Sequence, residues 1–226
     1  MTDIGFIGVG LMGHGMAENL MKSGNNLTII AHRNRAPVDD LVGKGALEVE
    51  TLSSLSHASE VIFLCLSDSE VVENVIAQLK PDLRAGQTIV DATTACPQST
   101  MRVDQELRVI GVDFVDAPVT ANPEKAALGE LTSLVGAEEG VFNRVKPLIQ
   151  SYSTTILHFG STGMGHTAKL MNNFVTQSTG QLLALSYSVA RLSGVDWVKL
   201  HMAMSGGAAK SGTFEKMITP AIQGNF

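Results

Sequence analysis

Hydrophobic and polar positions along the 226-residue chain fall into two regimes. Up to about residue 160, short aliphatic and β-branched runs alternate with longer stretches of helical period. The run VIFLCL at 61–66 is apolar at every position, as a strand buried on both faces requires. The pattern predicts strands over 4–9, 27–31, 61–66, 88–92, 112–119, 131–135 and 155–159. It predicts helices over 11–22, 38–44 and 70–79, and a further one starting at Pro97, a residue suited to the first helical position. Such alternation implies a mainly parallel sheet with helices on both faces. After Gly163 the regime changes. Between 166 and about 192 the only strong breaker is Gly180, and Leu170, Phe174, Leu182, Leu185 and Val189 recur at helical spacing. A helix of this length would run roughly 40 Å at ~1.5 Å per residue. It is too long to cover one sheet and reads as a spine joining two domains. One more clear helix is predicted, over 195–204.

Composition narrows the class. Apolar residues make up 44% of the chain, enough for a sizeable core. A formal net charge of −6 argues against nucleic-acid binding through phosphate neutralisation. Two cysteines, Cys65 and Cys96, argue against a disulfide framework and fit a reducing compartment. The N-terminus lacks a basic segment ahead of an apolar one, and no apolar run approaches the ~20 residues that span a bilayer. The expectation is a soluble, cytoplasmic protein with no membrane or nucleic-acid partner.

The most specific motif is GFIGVGLMG at 5–13, which places Gly8, Gly10 and Gly13 in a G-x-G-x-x-G pattern. An ordinary glycine-rich turn fits the letters. The position, directly after a predicted strand and at the start of a predicted helix, favours a dinucleotide loop. Gly8 would permit the tight turn, Gly10 the approach of a pyrophosphate, and Gly13 close helix–sheet packing. The N–H groups around Leu11 and Met12 would favour an anion. The end of the second strand selects the cofactor: an acid there suits the ribose 2′-OH of NAD, an Arg the 2′-phosphate of NADP. Here the stretch is Ala31, His32, Arg33, Asn34, Arg35, without an acid. Either it is a solvated basic turn, or it favours NADP(H), with NAD(H) possible; the arginine fork matches phosphate oxygens. The expected architecture is α/β: a Rossmann-type dinucleotide-binding domain over 1–163, then an all-helical domain over 164–226.

Four segments resemble the β-hydroxyacid dehydrogenases, the family of 3-hydroxyisobutyrate dehydrogenase and tartronate semialdehyde reductase. They are GFIGVGLMGHGMAENL at 5–20, DATTACPQST at 91–100, DAPVTANPEKAALGELTSLVGA at 116–137 and GMGHTAKLMNN at 163–173. They follow the family's order and approximate spacing over nearly the whole chain. The resemblance implies cofactor contacts at Leu11, Met12, Arg33, Leu66 and Thr94. It implies a substrate-anion loop at Thr120, Ala121 and Asn122, a catalytic lysine at Lys169 and its polar partner at Asn173. Where the family usually has Ser-Gly-Gly, this chain has Thr120-Ala121-Asn122, whose added side chains narrow the loop and restrict positive φ at Ala121. Family members continue with several more helices, so the second domain is expected to be incomplete here.

The chemistry is coherent by itself. Oxidising a hydroxy acid removes a hydride and a hydroxyl proton, and one positioned acid–base group suffices for the proton. A lysine can serve where burial or a neighbouring charge lowers its pKa. Lys169 and Asn173 lie four apart and share a helix face. Taken alone, Lys169 reads more simply as a solvated helix lysine; the glycine loop and the family resemblance favour the catalytic role. The expectation is an NADP-preferring oxidoreductase of a small, anionic β-hydroxyacid or semialdehyde, most simply a carboxylate. The alternative is a catalytically silent dinucleotide-binding or oligomerisation module. The six histidines show no metal-ligand spacing. Cys65 reads as strand core, Cys96 lacks a histidine partner, and Asp113 and Asp116 read as strand-edge and turn residues. Leu170, Met171, Phe174, Val175, Leu182, Leu183, Leu185 and Val189 spread over a wide arc of the long helix. One further helix cannot cover that arc, so a homo-oligomer or missing chain is expected to do so.

Overall fold

The computed structural model describes residues 1–224. Six strands form a wholly parallel sheet: β1 (Asp3–Ile7), β2 (Asn26–Ile30), β3 (Leu47–Val49), β4 (Val61–Leu64), β5 (Thr88–Asp91) and β6 (Asp113–Asp116). Their spatial order is β3-β2-β1-β4-β5-β6. The chain enters at the middle strand, builds one edge, then crosses over to build the other. The switch point falls between β1 and β4, where Phe6 pairs with Phe63 and Ile7 with Leu64. In open α/β sheets the crevice beyond the strand C-termini at such a point is where ligands bind.

The uniform hydrophobicity of 61–64 follows from cover on both faces. Phe63 joins a core with Met16 and Leu20 of α1 (Gly13–Lys22), Leu41 of α2 (Ala36–Gly43) and Ile149 of α7 (Glu139–Ile149). Its neighbours Ile62 and Leu64 face the opposite core. There they meet Leu55 of α3 (Leu52–His57), Ile76 of α4 (Ser69–Leu79) and Leu107 of α5 (Pro97–Arg108). Side chains that alternate across a strand make both faces apolar only when both are covered.

The predicted strand over 112–119 is in fact two strands in different sheets. β6 ends at Asp116, and β7 (Val119–Thr120) pairs antiparallel with β8 (Leu131–Val135). β8 pairs in parallel with β9 (Ser153–His158), making a separate three-stranded sheet. Pro118 stands at the break, and with no N–H it cannot carry a ladder through. The helices α3, α6 (Pro123–Ala127) and α7, and the short strand β3, were not legible in the hydrophobic pattern. α3 reads LSSLSH, a serine-rich stretch of modest helix propensity. It forms because the Thr51 hydroxyl accepts the Ser54 N–H and Leu55 is buried.

The chain divides into two compact units, Met1–Lys169 and Leu170–Phe226. The long helix α8 (Met164–Leu192) begins in the first and continues through the second. Among the described residues two helices follow it rather than the one expected: α9 (Trp197–Ser205) and α10 (Gly212–Ile222). α10 was hidden among glycines. It is capped by Ser211, and its Phe214 and Ile218 bury themselves with Leu183 and Tyr187 of α8. Among the described residues no helix is long and apolar enough to cross a membrane.

Candidate active site

The glycine loop lies at the switch point. Gly8 has φ +101°, and a Cβ on it would stand 2.2 Å from the Cys65 carbonyl oxygen after β4. A Cβ on Gly13 would stand 2.0 Å from the Gly8 oxygen. Both positions therefore demand glycine. Gly10 faces open space, with nothing within 4 Å of where its Cβ would be. No side chain caps the start of α1, whereas Asp68 caps α4 and Thr51 caps α3. Orphan N–H groups at an uncapped start beside an open glycine form an anion cradle. Leu11 is exposed and Met12 half-buried at its rim.

At the end of β2 the two arginines differ. Arg35 donates to both Glu48 oxygens, at 2.7 and 3.0 Å, and to Asp39 at 2.8 Å. Its charge is already answered by strand β3 and its own helix. Arg33 makes no ion pair among the described residues and is exposed beside His32 and Asn34. The Asn34 side-chain oxygen accepts the Ala36 N–H at 3.3 Å. Arg33 is thus the unanswered guanidinium of the turn. Nearby on α1 and α2, His14, Glu18 and Asp40 come together, but Lys44 already lies on both carboxylates, at 3.2 and 2.6 Å.

Beyond β4 and β5 the loops are tied to each other. The Leu66 N–H donates to the Thr93 hydroxyl at 3.0 Å, while Thr94 is exposed. Asp91, at the end of β5, is buried and accepts the Thr93 N–H at 2.9 Å. Burial lifts its carboxyl to about 6. Cys65, expected as core, is largely enclosed, and burial pushes its thiol up to about 12.

The sequence reading missed Asp116 and His166. Asp116, expected as a strand-edge or turn residue, does end the edge strand β6, but it is fully buried rather than solvated. Its carboxylate accepts the N–H groups of Gly163 and His166, both at 2.6 Å, and so caps α8 from a different element. His166 is fully buried two residues into that helix, with Nδ1 2.7 Å from the Thr100 hydroxyl and Nε2 2.8 Å from the Thr93 carbonyl. Only the pairing of an acid ending one strand with a histidine opening a later helix could have signalled this, across 50 residues.

Lys169, one turn further along α8, is half-buried and makes no ion pair among the described residues. Burial alone lowers the pKa of its ammonium. Asn173 lies on the same helix within the second unit and is half-buried. In the loop after β7, the positive φ expected to be restricted is present: Ala121 has φ +112°. A non-glycine residue there is strained by on the order of 1–2 kcal/mol. Asn122 is extended, and its side-chain oxygen accepts the Lys125 N–H to cap α6, leaving its amide N–H₂ as the available donor. Thr120 is half-buried.

An α/β sheet with this strand order and this loop at its switch point is a dinucleotide-binding fold. Residues 3–160 match the family described as the NAD binding domain of 6-phosphogluconate dehydrogenase. The chain is 35% identical over 217 residues to 2-hydroxy-3-oxopropionate reductase of Escherichia coli, a match covering 94% of this chain and 73% of that protein. It is 37% identical over 176 residues to 2-(hydroxymethyl)glutarate dehydrogenase of Eubacterium barkeri, covering 76% of this chain and 58% of the relative. The solved structure of Mycobacterium tuberculosis 3-hydroxyisobutyrate dehydrogenase with L-serine has the same fold, with a TM-score of 0.86 at 23% identity over 94% of this chain and 73% of that one. The chain belongs to the β-hydroxyacid dehydrogenase family. Its cofactor class is a nicotinamide dinucleotide.

Proposed function

We propose that the protein interconverts a small, anionic β-hydroxyacid and its carbonyl form, or reduces a semialdehyde, with NADP(H) preferred over NAD(H). One observation carries the catalytic part: Lys169 is half-buried without a counter-ion among the described residues, in the unit that also holds the glycine loop. An ammonium destabilised by burial gives its proton more readily to the nascent alkoxide in the reduction, and the neutral amine takes a proton from the substrate hydroxyl in the oxidation. When bound, the nicotinamide supplies or accepts the hydride. The chain's residues do the rest. Gly8, Gly10, Leu11, Met12 and Gly13 would hold the pyrophosphate at the uncapped start of α1. Arg33, with His32 and Asn34, would meet the 2′-phosphate. Leu66 and Thr94 would flank the cofactor from the loops after β4 and β5. Thr120, Ala121 and the free amide of Asn122 would hold the carboxylate, and Asn173 would orient the substrate by hydrogen bonding. A second copy packing along α8 is the expected partner.

The test is NADPH oxidation with glyoxylate, succinic semialdehyde and tartronate semialdehyde, alongside the Lys169→Ala variant. Loss of an acid–base group typically costs 10²–10⁴ in rate, so kcat should fall by about 10²-fold or more. NADPH affinity should hardly change. Undiminished turnover in that variant would remove Lys169 from the chemistry. Dinucleotide binding without turnover of any hydroxyacid or semialdehyde would leave a silent binding module.

A further inference from the structure

The mechanism above does not use His166, yet His166 is fully buried between the elements that carry the proposed cofactor and proton-transfer residues. Its hydrogen bonds define its state. The Thr93 carbonyl can only accept, so Nε2 carries a hydrogen and donates across 2.8 Å. In the neutral ring Nδ1 then has a lone pair and accepts from the Thr100 hydroxyl at 2.7 Å. That hydroxyl also lies 3.2 Å from the Cys96 carbonyl, an alternative acceptor should Nδ1 become protonated. Two carboxylates face the ring: Asp91 of β5, 3.9 Å from Nε2, and Asp116 of β6, 3.9 Å from Nδ1. Burial favours the neutral imidazole and Asp116 opposes it.

The connections are specific. The peptide whose carbonyl His166 holds joins Thr93 to Thr94. The side chain of that same Thr93 accepts the Leu66 N–H. The backbone N–H of His166 is held by Asp116, and Lys169 follows one helical turn later. A single side chain thus links the loop after β5, and through Thr93 the loop after β4, to the turn of α8 that carries the lysine. All of it lies in the first unit.

We propose that His166 is a positioning residue, a neutral hydrogen-bonded bridge that sets the Leu66 and Thr94 loops in fixed relation to Lys169. The proposal rests on the cofactor and lysine roles given above, so its test must also read something that does not depend on turnover. Glutamine can replace the bridge, donating through its amide to Thr93 and accepting through its carbonyl from Thr100. Leucine fills similar space and does neither.

Amide hydrogen exchange in residues 92–97 of the free protein, NADPH Kd, and kcat against KM should be compared for the unmodified chain, His166→Gln and His166→Leu. For leucine we expect exchange in that segment to quicken and NADPH to bind more weakly, each about tenfold, as the loss of buried hydrogen bonds suggests. For glutamine both should stay within about threefold of the original, and kcat should recover with them. Thr100→Val deletes one arm of the bridge at nearly constant volume and keeps a fallback should the leucine variant fail to fold. It should quicken exchange in the same segment by about threefold. Unchanged exchange and NADPH affinity in a folded leucine variant, or in Thr100→Val if leucine does not fold, would overturn the proposal. So would a glutamine variant as impaired as leucine. If the unmodified protein turns over no substrate, the functional reading fails, while the exchange comparison still decides whether His166 positions these loops.

Discussion

At the scale of single residues, charge that has a partner must be told from charge that does not. Arg33 and Arg35 are two positions apart and look equivalent in the sequence, yet Glu48 and Asp39 claim Arg35 and, among the described residues, no acid claims Arg33. The unanswered guanidinium is the one that can meet a phosphate. Arg33→Asp should therefore erase or reverse the preference for NADPH over NADH. A charge-assisted hydrogen bond contributes on the order of 1.5–3 kcal/mol, so the ratio of the two dissociation constants should change at least about tenfold. Equal affinities in the unmodified protein would refute the NADP assignment. The basic turn itself was legible in the chain, because its distance from the glycine loop is set by one strand and one helix. Which arginine it offers was not, because Glu48 reaches Arg35 from a neighbouring strand, 13 residues on. Lys169 was legible as a position, but its depressed basicity comes from burial, which no local pattern states.

At the scale of elements, the C-terminal ends of β5 and β6 each carry a buried carboxylate, and the two are treated differently. Asp116 has two strong N–H donors at 2.6 Å. Asp91 has one partnered oxygen, and its other oxygen has no hydrogen-bond partner. Burial lifts Asp91 from an ordinary 3.8 to about 6, so between those values the folded chain holds a proton that the unfolded chain has released. Stability from this group is greatest at low pH and is lost as pH rises through 6, by about 3 kcal/mol in all at ~1.4 kcal/mol per pH unit. His166 runs the other way: its lowered pKa costs stability as pH falls below its ordinary 6.5. Asp91→Asn keeps the acceptor for Thr93 and removes the charge. Relative to the unmodified protein, urea denaturation should show it gaining about 1 kcal/mol more at pH 7.5 than at pH 5. The difference between the two pH values is the readout, since a buried amide N–H₂ without a partner carries its own cost at both. An equal change at both would mean that Asp91 is already ionised in the folded protein at pH 5. The strands themselves were legible from their apolar runs. Where 112–119 divides between two sheets was not, because strand length is read locally while pairing partners are chosen at long range.

At the scale of the whole molecule, the second unit leaves a large apolar surface uncovered. Phe174, Val175, Leu182, Leu185 and Val189 of α8 are exposed, although α10 supplies cover that the hydrophobic pattern had not led us to expect. Exposed apolar patches of this extent mark interfaces. Light scattering at micromolar concentration is expected to give a mass of at least twice 23.9 kDa. Leu182→Glu should shift it toward the monomer, since an ionised carboxylate buried in an apolar interface is strongly disfavoured. A monodisperse, fully active monomer would count against association along α8.

Period, turn chemistry and spacing are properties of neighbouring residues, and they sufficed for the parallel sheet, the glycine loop at its switch point, the long helix and the position of Lys169. A tight turn that only glycine can make, or a strand apolar on both faces, is written within a few residues. The tertiary structure alone decided the rest. It brought Asp116 to cap α8, set His166 between Thr93 and Thr100, neutralised Arg35 with Glu48, and placed the strained φ on Ala121 rather than Asn122. Ionisation and hydrogen-bond partnership depend on which distant groups share a buried volume, and that is settled only when the elements pack.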